Sequence, residues 1–257
     1  MGTPLSNFSL LPDSVAMRNE TLFISDLHLT IERPDVTRKF IKLLSTRATQ
    51  AQALYILGDL FDTWIGDDDF SPPINAVKKH LKALTTAGTP VYYIHGNRDF
   101  LIGQRFSEQT GITLLDEYSV IDLYGTSTLL THGDLLCTDD LPYQAFRIKS
   151  HSAEWQENVL SKPLLFRLLY ARWYRLRSYF HKRKKSQDIM DVNQDTITQL
   201  MTKYQVKRLI HGHTHRPAVH DLQIQGQDAQ RFVLSEWKKD SASLLVWTES
   251  AYTVESI

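Results

Sequence analysis

The sequence predicts an α/β fold of stacked layers, with strands buried on both faces and a site along one edge. Three observations carry that prediction. Short continuous apolar runs such as Ala53–Leu57 alternate with amphipathic stretches such as Ile74–Ala87. Each run is too short for a helix and lacks the polar alternation of a half-exposed strand. Five of the runs end in Asp, Asn or His, most often beside glycine. In layered α/β folds the loops at the C-terminal ends of strands converge, so polar residues placed there from distant parts of the chain form one site.

Taken in order, Thr21–Ser25 reads as a first buried strand and leads into Asp26-Leu27-His28. Asp35 to about Ala51 has Val36, Phe40, Leu43 and Leu44 near helical spacing. Ala53–Leu57 stops at Gly58-Asp59, where glycine allows a tight turn and a carboxylate stands at the strand end. Ile74–Ala87 is a helix closed by Gly88, and Val91–Ile94 is a strand entering His95-Gly96-Asn97-Arg98-Asp99. Leu129–Thr131 leads into His132-Gly133-Asp134. Thr196–Lys203 is helical, and Leu209-Ile210 enters His211-Gly212-His213-Thr214-His215. Phe232–Leu234 and Leu244–Val254 close the domain as antiparallel strands.

At 257 residues the chain is long enough for one large domain or a core with an insertion. No run of about eighteen apolar residues and no basic start followed by an apolar stretch is present, so neither a spanning helix nor a secretory signal is expected. Cys137 is the single cysteine, consistent with a reducing compartment. Residues 1–19 are polar and aperiodic, an extension to a domain over 20–257, and Met17 is an alternative start. The net charge of zero conceals an asymmetry. Between Arg147 and Lys185 eleven Lys/Arg face only Glu154 and Glu157, so a segment of +9 sits on a body of −9.

The strand ends supply Asp26, His28, Asp59, Asn97, His132, His213 and His215. Carboxylate, amide oxygen and imidazole together suit Mn²⁺, Fe²⁺ or Zn²⁺, and the lack of thiolate argues against a structural zinc finger. Asp26-x-His28 and His213-x-His215 put two side chains on one face of an extended backbone. Asp59 has two oxygens and can bridge two ions about 3.5–4 Å apart, the spacing at which a pair of metals clamps one phosphate. Asp67-Asp68-Asp69 is a polar loop or a further acidic metal cluster. Asp99 and Asp134 are expected to orient imidazoles, His95 and His211 to pack at strand ends, and Cys137 to be buried and inert.

These five signatures in this order resemble those of the calcineurin-like metallophosphoesterases. The resemblance implies a four-layer α/β/β/α sandwich with a dinuclear site. In it Asp26, His28, Asp59 and His215 hold one ion, and Asp59, Asn97, His132 and His213 the other. Longer strings, among them ALYILGDLFDTWIGDDD, HGNRDFLIGQRF and THGDLLCTDDLPYQAFR, are similar to the UDP-2,3-diacylglucosamine hydrolases of lipid A biosynthesis. That similarity implies two Mn²⁺ ions per chain and hydrolysis of a lipid-linked diphosphate to UMP and 2,3-diacylglucosamine 1-phosphate. It implies catalytic roles for Asp59, Asn97 and Arg98, and substrate contacts at Asn97, Arg98, Asp140, Ser178, Lys182, Lys185 and His213. It also implies a monomer at the cytoplasmic face of the inner membrane of a Gram-negative bacterium, without nucleic acid. Ser235-Glu236-Trp237 departs from that family's usual glycine before an acid and Trp.

Two features bear on the substrate. Where most relatives of this fold follow the Asn ligand with His, Arg98 stands here. Arg keeps its proton at working pH and so cannot protonate an alkoxide. It suits a leaving group already stable as an anion, such as a phosphate monoester with a second pKa of about 6. The insertion, at about 141–188, contains Leu164–Phe180. Leu165, Leu169, Trp173, Leu176 and Phe180 follow helical spacing, Phe166, Tyr170 and Tyr174 widen their face, and Arg167, Arg172, Arg175 and Arg177 carry charge. Such a helix suits a lid over acyl chains or an anionic membrane surface, and the plain alternative is packing on the main domain. The run His181–Lys185 meets an anionic ligand or is a solvated charge run. Three other functions stay open: a diphosphatase or phosphodiesterase of soluble nucleotides, a nuclease, disfavoured because the basic charge is confined to one segment, and a non-catalytic metal-bound scaffold.

Overall fold

The computed structural model describes residues 19–182 and 191–257, the side chains of 175–182 excepted. Expectations made for residues 1–18, for Lys185, and for the side chains of Arg175, Leu176, Arg177, Ser178, Phe180 and Lys182 lie outside the described residues.

Two sheets stack face to face. The first has six strands, with β1 (Thr21–Ile24), β2 (Ala53–Leu57), β3 (Val91–Ile94) and β4 (Thr113–Leu114) parallel. Beside β1 lies β10 (Ser243–Trp247), antiparallel, and beyond it β11 (Tyr252–Ser256). The stretch Leu244–Val254 is therefore two strands and not one, because the chain reverses where the Thr248 N–H reaches the Ala251 carbonyl. The second sheet runs β5 (Ser119–Leu123), β6 (Thr126–Leu130), β7 (Arg208–His211), β9 (Gln227–Val233) and β8 (Ala218–Ile224) in spatial order. Its β9 is antiparallel to β8 and parallel to β7, so the closing strand at Phe232 has a partner of each sense.

The continuous apolar runs follow from burial on both faces. Along β1, Leu22 and Ile24 join the core under the helices while Phe23 points to the second sheet; in β2, Leu54 and Ile56 take the first side and Leu57 the second. Each fully buried Leu, Ile or Phe contributes about 1.5–3 kcal/mol relative to exposure. The outer face of the first sheet is covered by α1 (Pro34–Ser45), α2 (Ile74–Thr86) and α3 (Gln104–Thr110). α1 opens on Pro34 and Asp35, both favourable in a first turn, and buries Val36, Phe40, Leu43 and Leu44. It ends before Ala51, in a short 3-10 turn over Arg47–Gln50. The second sheet is covered by α7 (Gln194–Tyr204), started by the Asn193 side chain accepting the Thr196 N–H. The result is the expected α/β/β/α order of layers.

Between the strand ends and α7 come α4 (Leu141–Ser150), α5 (Ala153–Leu160) and α6 (Leu164–Lys182). Asp140 and Ser152 cap α4 and α5 through their side chains. On α6, Leu165, Phe166, Leu169 and Trp173 are each more than half exposed, while Arg167, one of the cations read as carrying the charge of this helix, is buried. The apolar stripe faces outward because Arg167 turns inward to pair with Asp68 and to donate to the Ile65 carbonyl.

Candidate metal centre and active site

The five polar strand ends lie at one edge, three from the first sheet and two from the second. A side chain ties the sheets there, His132 Nδ1 donating to the Leu57 carbonyl at 2.8 Å, and within the first sheet Asp26 N donates to the Gly58 carbonyl at 3.1 Å. Gly58 lies at φ +84, and a Cβ on it would stand 2.5 Å from His132 Nδ1.

The extended geometry expected for Asp26-x-His28 and His213-x-His215 is not what brings them together. β1 ends at Ile24 and β7 at His211, and all four residues are left-handed, at φ 56, 49, 68 and 55. Asp59 is too, at φ 52. Left-handed non-glycine residues cost of order 1–3 kcal/mol each and persist where the surroundings over-determine them, as at functional sites. Five of the seven expected ligands carry that strain.

Their atoms converge in two groups. In the first, His215 Nε2 stands 3.2 Å from Asp26 Oδ1 and 3.4 Å from His28 Nε2, and His28 Nδ1 is 3.8 Å from Asp59 Oδ2. In the second, Asn97 Oδ1 is 3.0 Å from His132 Nε2 and 2.9 Å from His213 Nδ1, with Asp59 Oδ1 3.7 Å from His132 Nε2. Asp59 thus turns one oxygen to each group. Asp26 also spans them, since Oδ2 accepts the His213 N–H at 2.9 Å.

The cluster suits a divalent cation. Asp26 and Asp59 are almost fully buried, and neither has a Lys or Arg ion pair among the described residues. Buried carboxylates need positive charge nearby. His28 Nδ1 is buried without a hydrogen-bond partner. With Nδ1 of His132 donating to Leu57, its Nε2 lone pair faces the Asn97 oxygen, and a proton or a cation must lie between two such acceptors. Burial, opposed by His132 and reinforced by Asp99 and Asp26, pushes Asp59 up to about 7. Burial also acts to raise Asp26, but its hydrogen bond with His215 and the charges of His132, His215 and His28 hold it below the carboxylate range. His215, which burial would lower, is pushed up to about 9 by Asp26 and Glu236, and burial takes His28 down to about 4. Protons are held here on groups that a metal ion would engage as bases.

Several neighbours act differently from expectation. Among the described residues Asp99 bonds to no imidazole; it accepts the N–H groups of Asp59, Phe61 and Gly96 and so shapes the loops that bear Asp59 and Asn97. Asp134 accepts from the Tyr143 hydroxyl and from Arg147 Nε, both on α4, and joins the strand end to the helices. Glu236 lies 3.3 Å from His215 Nδ1 and partners that ring, a role hidden in sequence because an isolated acid carries no spacing signal. The triplet Asp67-Asp68-Asp69 is no metal cluster. Asp67 accepts from Trp64 Nε1, Gly103 N and Phe106 N, Asp68 pairs with Arg167, and Asp69 accepts the Ser71 N–H. His95 Nε2 donates to the Ile102 carbonyl, and His211 is fully buried, so both serve structure. Cys137 is buried, and burial pushes its thiol up to about 12.

A cavity of about 360 Å³ leads from this edge into the helices. Asn97, Arg98 and His213 of the ligand edge line it, as does an aromatic wall of Trp64, Phe100, Phe146, Trp155, Tyr170 and Tyr174. The Arg98 N–H is bound to Asp59 Oδ1 at 2.8 Å. Asp140 also lines the cavity, beside its capping role. The aromatic wall is assembled from three segments far apart in sequence, which is why only its α6 part was legible beforehand.

The family model of calcineurin-like phosphoesterases matches residues 20–217. The chain is 50% identical over 226 residues to a UDP-2,3-diacylglucosamine hydrolase of Salmonella typhi, covering 88% of this chain and 94% of the relative. The protein of the same name from Klebsiella pneumoniae subsp. pneumoniae gives the same figures. Among solved structures, that of a novel archaeal phosphodiesterase aligns over 93% of this chain and 99% of its own, with 11% identity and a TM-score of 0.48.

Proposed function

The chain belongs to the calcineurin-like phosphoesterase family, and on that footing we propose that it hydrolyses the diphosphate of UDP-2,3-diacylglucosamine. The products are UMP and 2,3-diacylglucosamine 1-phosphate, in lipid A biosynthesis. The observation that carries this reading is the cavity, which is lined both by Asn97, Arg98 and His213 of the ligand edge and by an aromatic wall that offers acyl chains an apolar environment.

In this reading Asp26, His28, Asp59 and His215 would hold one Mn²⁺ and Asp59, Asn97, His132 and His213 a second. Two divalent ions bound at such a site supply Lewis-acid polarisation of the phosphoryl oxygens and activation of water. The residues do the rest. Arg98 and Asn97 line the cavity and offset charge growing on the phosphoryl oxygens. Arg98 keeps its proton, so the leaving group departs as a phosphate monoester without an acid from this position. His213 and Asp140 contact the substrate from the cavity wall, with Ser178, Lys182 and Lys185 joining them.

The segment from about 141 to 188 acts as a helical lid inserted in the phosphoesterase domain. Its excess of cations and the outward stripe of Leu165, Phe166, Leu169 and Trp173 support contact with an anionic membrane at its cytoplasmic face. Among the described residues no helix is long and apolar enough to cross a membrane. The protein acts as a monomer and binds no nucleic acid. The test is UMP release from UDP-2,3-diacylglucosamine with Mn²⁺ and with EDTA, beside a soluble UDP-sugar lacking acyl chains. Metal-dependent release from the lipid alone is expected. Equal turnover of both removes the lid from specificity, and turnover of neither overturns the reading.

A further inference from the structure

His211 follows no ligand pattern, yet its ring lies between the two strand ends that bear His132 and His213. A Cβ on Gly133 would stand 2.8 Å from His211 Nδ1 and 3.0 Å from the Gly212 carbonyl oxygen, so the ring packs directly against the backbone after His132. Its Nδ1 donates to the Gly212 carbonyl at 2.9 Å, and the Thr214 N–H donates to the same oxygen at 2.8 Å. Two donors thereby hold the peptide from which the left-handed His213 and His215 continue.

The other ring nitrogen meets Arg231. Nη1 of Arg231 lies 3.2 Å from His211 Nε2, in a fully buried contact. A guanidinium only donates, so this contact places a lone pair on Nε2 and the ring's single proton on Nδ1, where the Gly212 bond needs it. Arg231 itself is 4% exposed, and its Nε has no partner. Burying a guanidinium without an acid is unfavourable. Asp191 acts on Arg231 by charge alone, since its ion pair is with Arg216, and among the described residues no acid forms an ion pair with Arg231. Among the described residues, its hydrogen bond is to His211.

We infer that Arg231 is a positioning residue for the metal centre. It locks His211 in the neutral Nδ1–H tautomer, and His211 holds the Gly212 peptide so that His213 and His215 face Asn97 and Asp26. The inference rests on the metal reading of this edge given above. It separates two chemically similar groups by role: His213 and His215 offer nitrogen to a cation, whereas His211 spends both nitrogens on the protein.

Nitrogen-15 NMR of the imidazoles in the metal-free protein at neutral pH reads the tautomer, and free-Mn²⁺ EPR during titration reads affinity. Wild-type His211 is expected to be protonated on Nδ1 alone. Arg231→Met is expected to give mixed tautomers and Mn²⁺ binding weaker by about 10–100-fold. Arg231→Lys, which keeps a donor-only cation, is expected to recover most of that loss. Saturating Mn²⁺ is expected to restore turnover of the Met variant with KM unchanged, which a general packing defect does not give. An Nε2-protonated His211 in the wild type overturns the inference, as does Mn²⁺ binding by Arg231→Met at wild-type strength. Should the Met variant fail to fold, the wild-type tautomer and the Lys variant decide. A wild-type protein that takes up no Mn²⁺ instead overturns the metal reading, and its metal-free tautomer still decides the lock.

Discussion

At the ligand edge most side chains are held from more than one direction, while α6 leaves four large apolar side chains more than half exposed and, among its described residues, buries only Arg167. Asp26 illustrates the first region, with Ser25 Oγ, His213 N and His215 Nε2 all on its carboxylate. In the second, Arg167 reaches across to Ile65 and Asp68 from a helix whose neighbouring stripe faces away from the core. The contrast separates two physical demands. Phosphoryl chemistry needs ligands placed to a fraction of an ångström, and strain there is tolerable because the surrounding contacts are many. A surface that admits long apolar chains needs room and a low cost of local opening, which few buried contacts provide.

The largest effect should come from the ligand edge. Asp59→Asn removes the charge and one of the two oxygens that would bridge the proposed ions, and is expected to lower UMP release by about a thousandfold or more, several kcal/mol of transition-state stabilisation. Since Asp59 sits near the like charges of Asp26 and Asp99, the thermal midpoint of the metal-free variant should not fall. Normal turnover with full metal content would break the contrast at its stronger end.

Arg167→Leu tests the other region. Loss of the donor leaves the Ile65 carbonyl without this partner, a local penalty of about 1–3 kcal/mol. Hydrogen exchange should quicken along α6 and the Ile65–Asp68 loop and stay slow in β1, β2 and β7. Uniform acceleration across the molecule would mean that the two regions open as one.

A smaller and more selective change is expected from Leu169→Ser with Trp173→Ser. Both positions are more than half exposed, so urea midpoints should correspond to stability within about 0.5 kcal/mol per substitution. Turnover of lipid in anionic vesicles should fall relative to turnover in neutral detergent. An equal fall in both would assign the stripe to the cavity and not to a surface.

The last test concerns Cys137. Its thiol, pushed up to about 12 by burial and the charges of Asp134, Asp191, Asp140 and Asp139, ionises only in strong alkali when folded. At pH 8 alkylation should be slower than in the denatured chain by about three powers of ten from ionisation alone. The linkage sign follows: the group's contribution to stability is full below the unfolded value of about 8.5 and is lost as pH rises toward the folded one. Rapid labelling of native protein by iodoacetamide at pH 8 would contradict this.

Much of the ligand edge was legible because its requirements are local. An apolar run ending in Gly58-Asp59 or His211-Gly212-His213 states both a buried strand and a tight exit. The reason for convergence was not legible, since Asp26-x-His28 suggests alternation along a strand while the residues are left-handed beyond its end. The roles of Asp99 and Glu236 were hidden for another reason. Each acts across tens of positions, on Asp59 and on His215, and no periodicity records such a partner.

Residue order alone was enough for the layered α/β class and for the polar side chains at its strand ends, because chain stiffness and side-chain chemistry act within a few residues. Only tertiary structure decided that the stripe of α6 faces outward, that Asp67-Asp68-Asp69 is spent on Trp64, Gly103, Phe106, Arg167 and Ser71, and that Arg231 meets His211. Burial and pairing are relations between elements, and a helix has a face long before it has anything to turn that face toward.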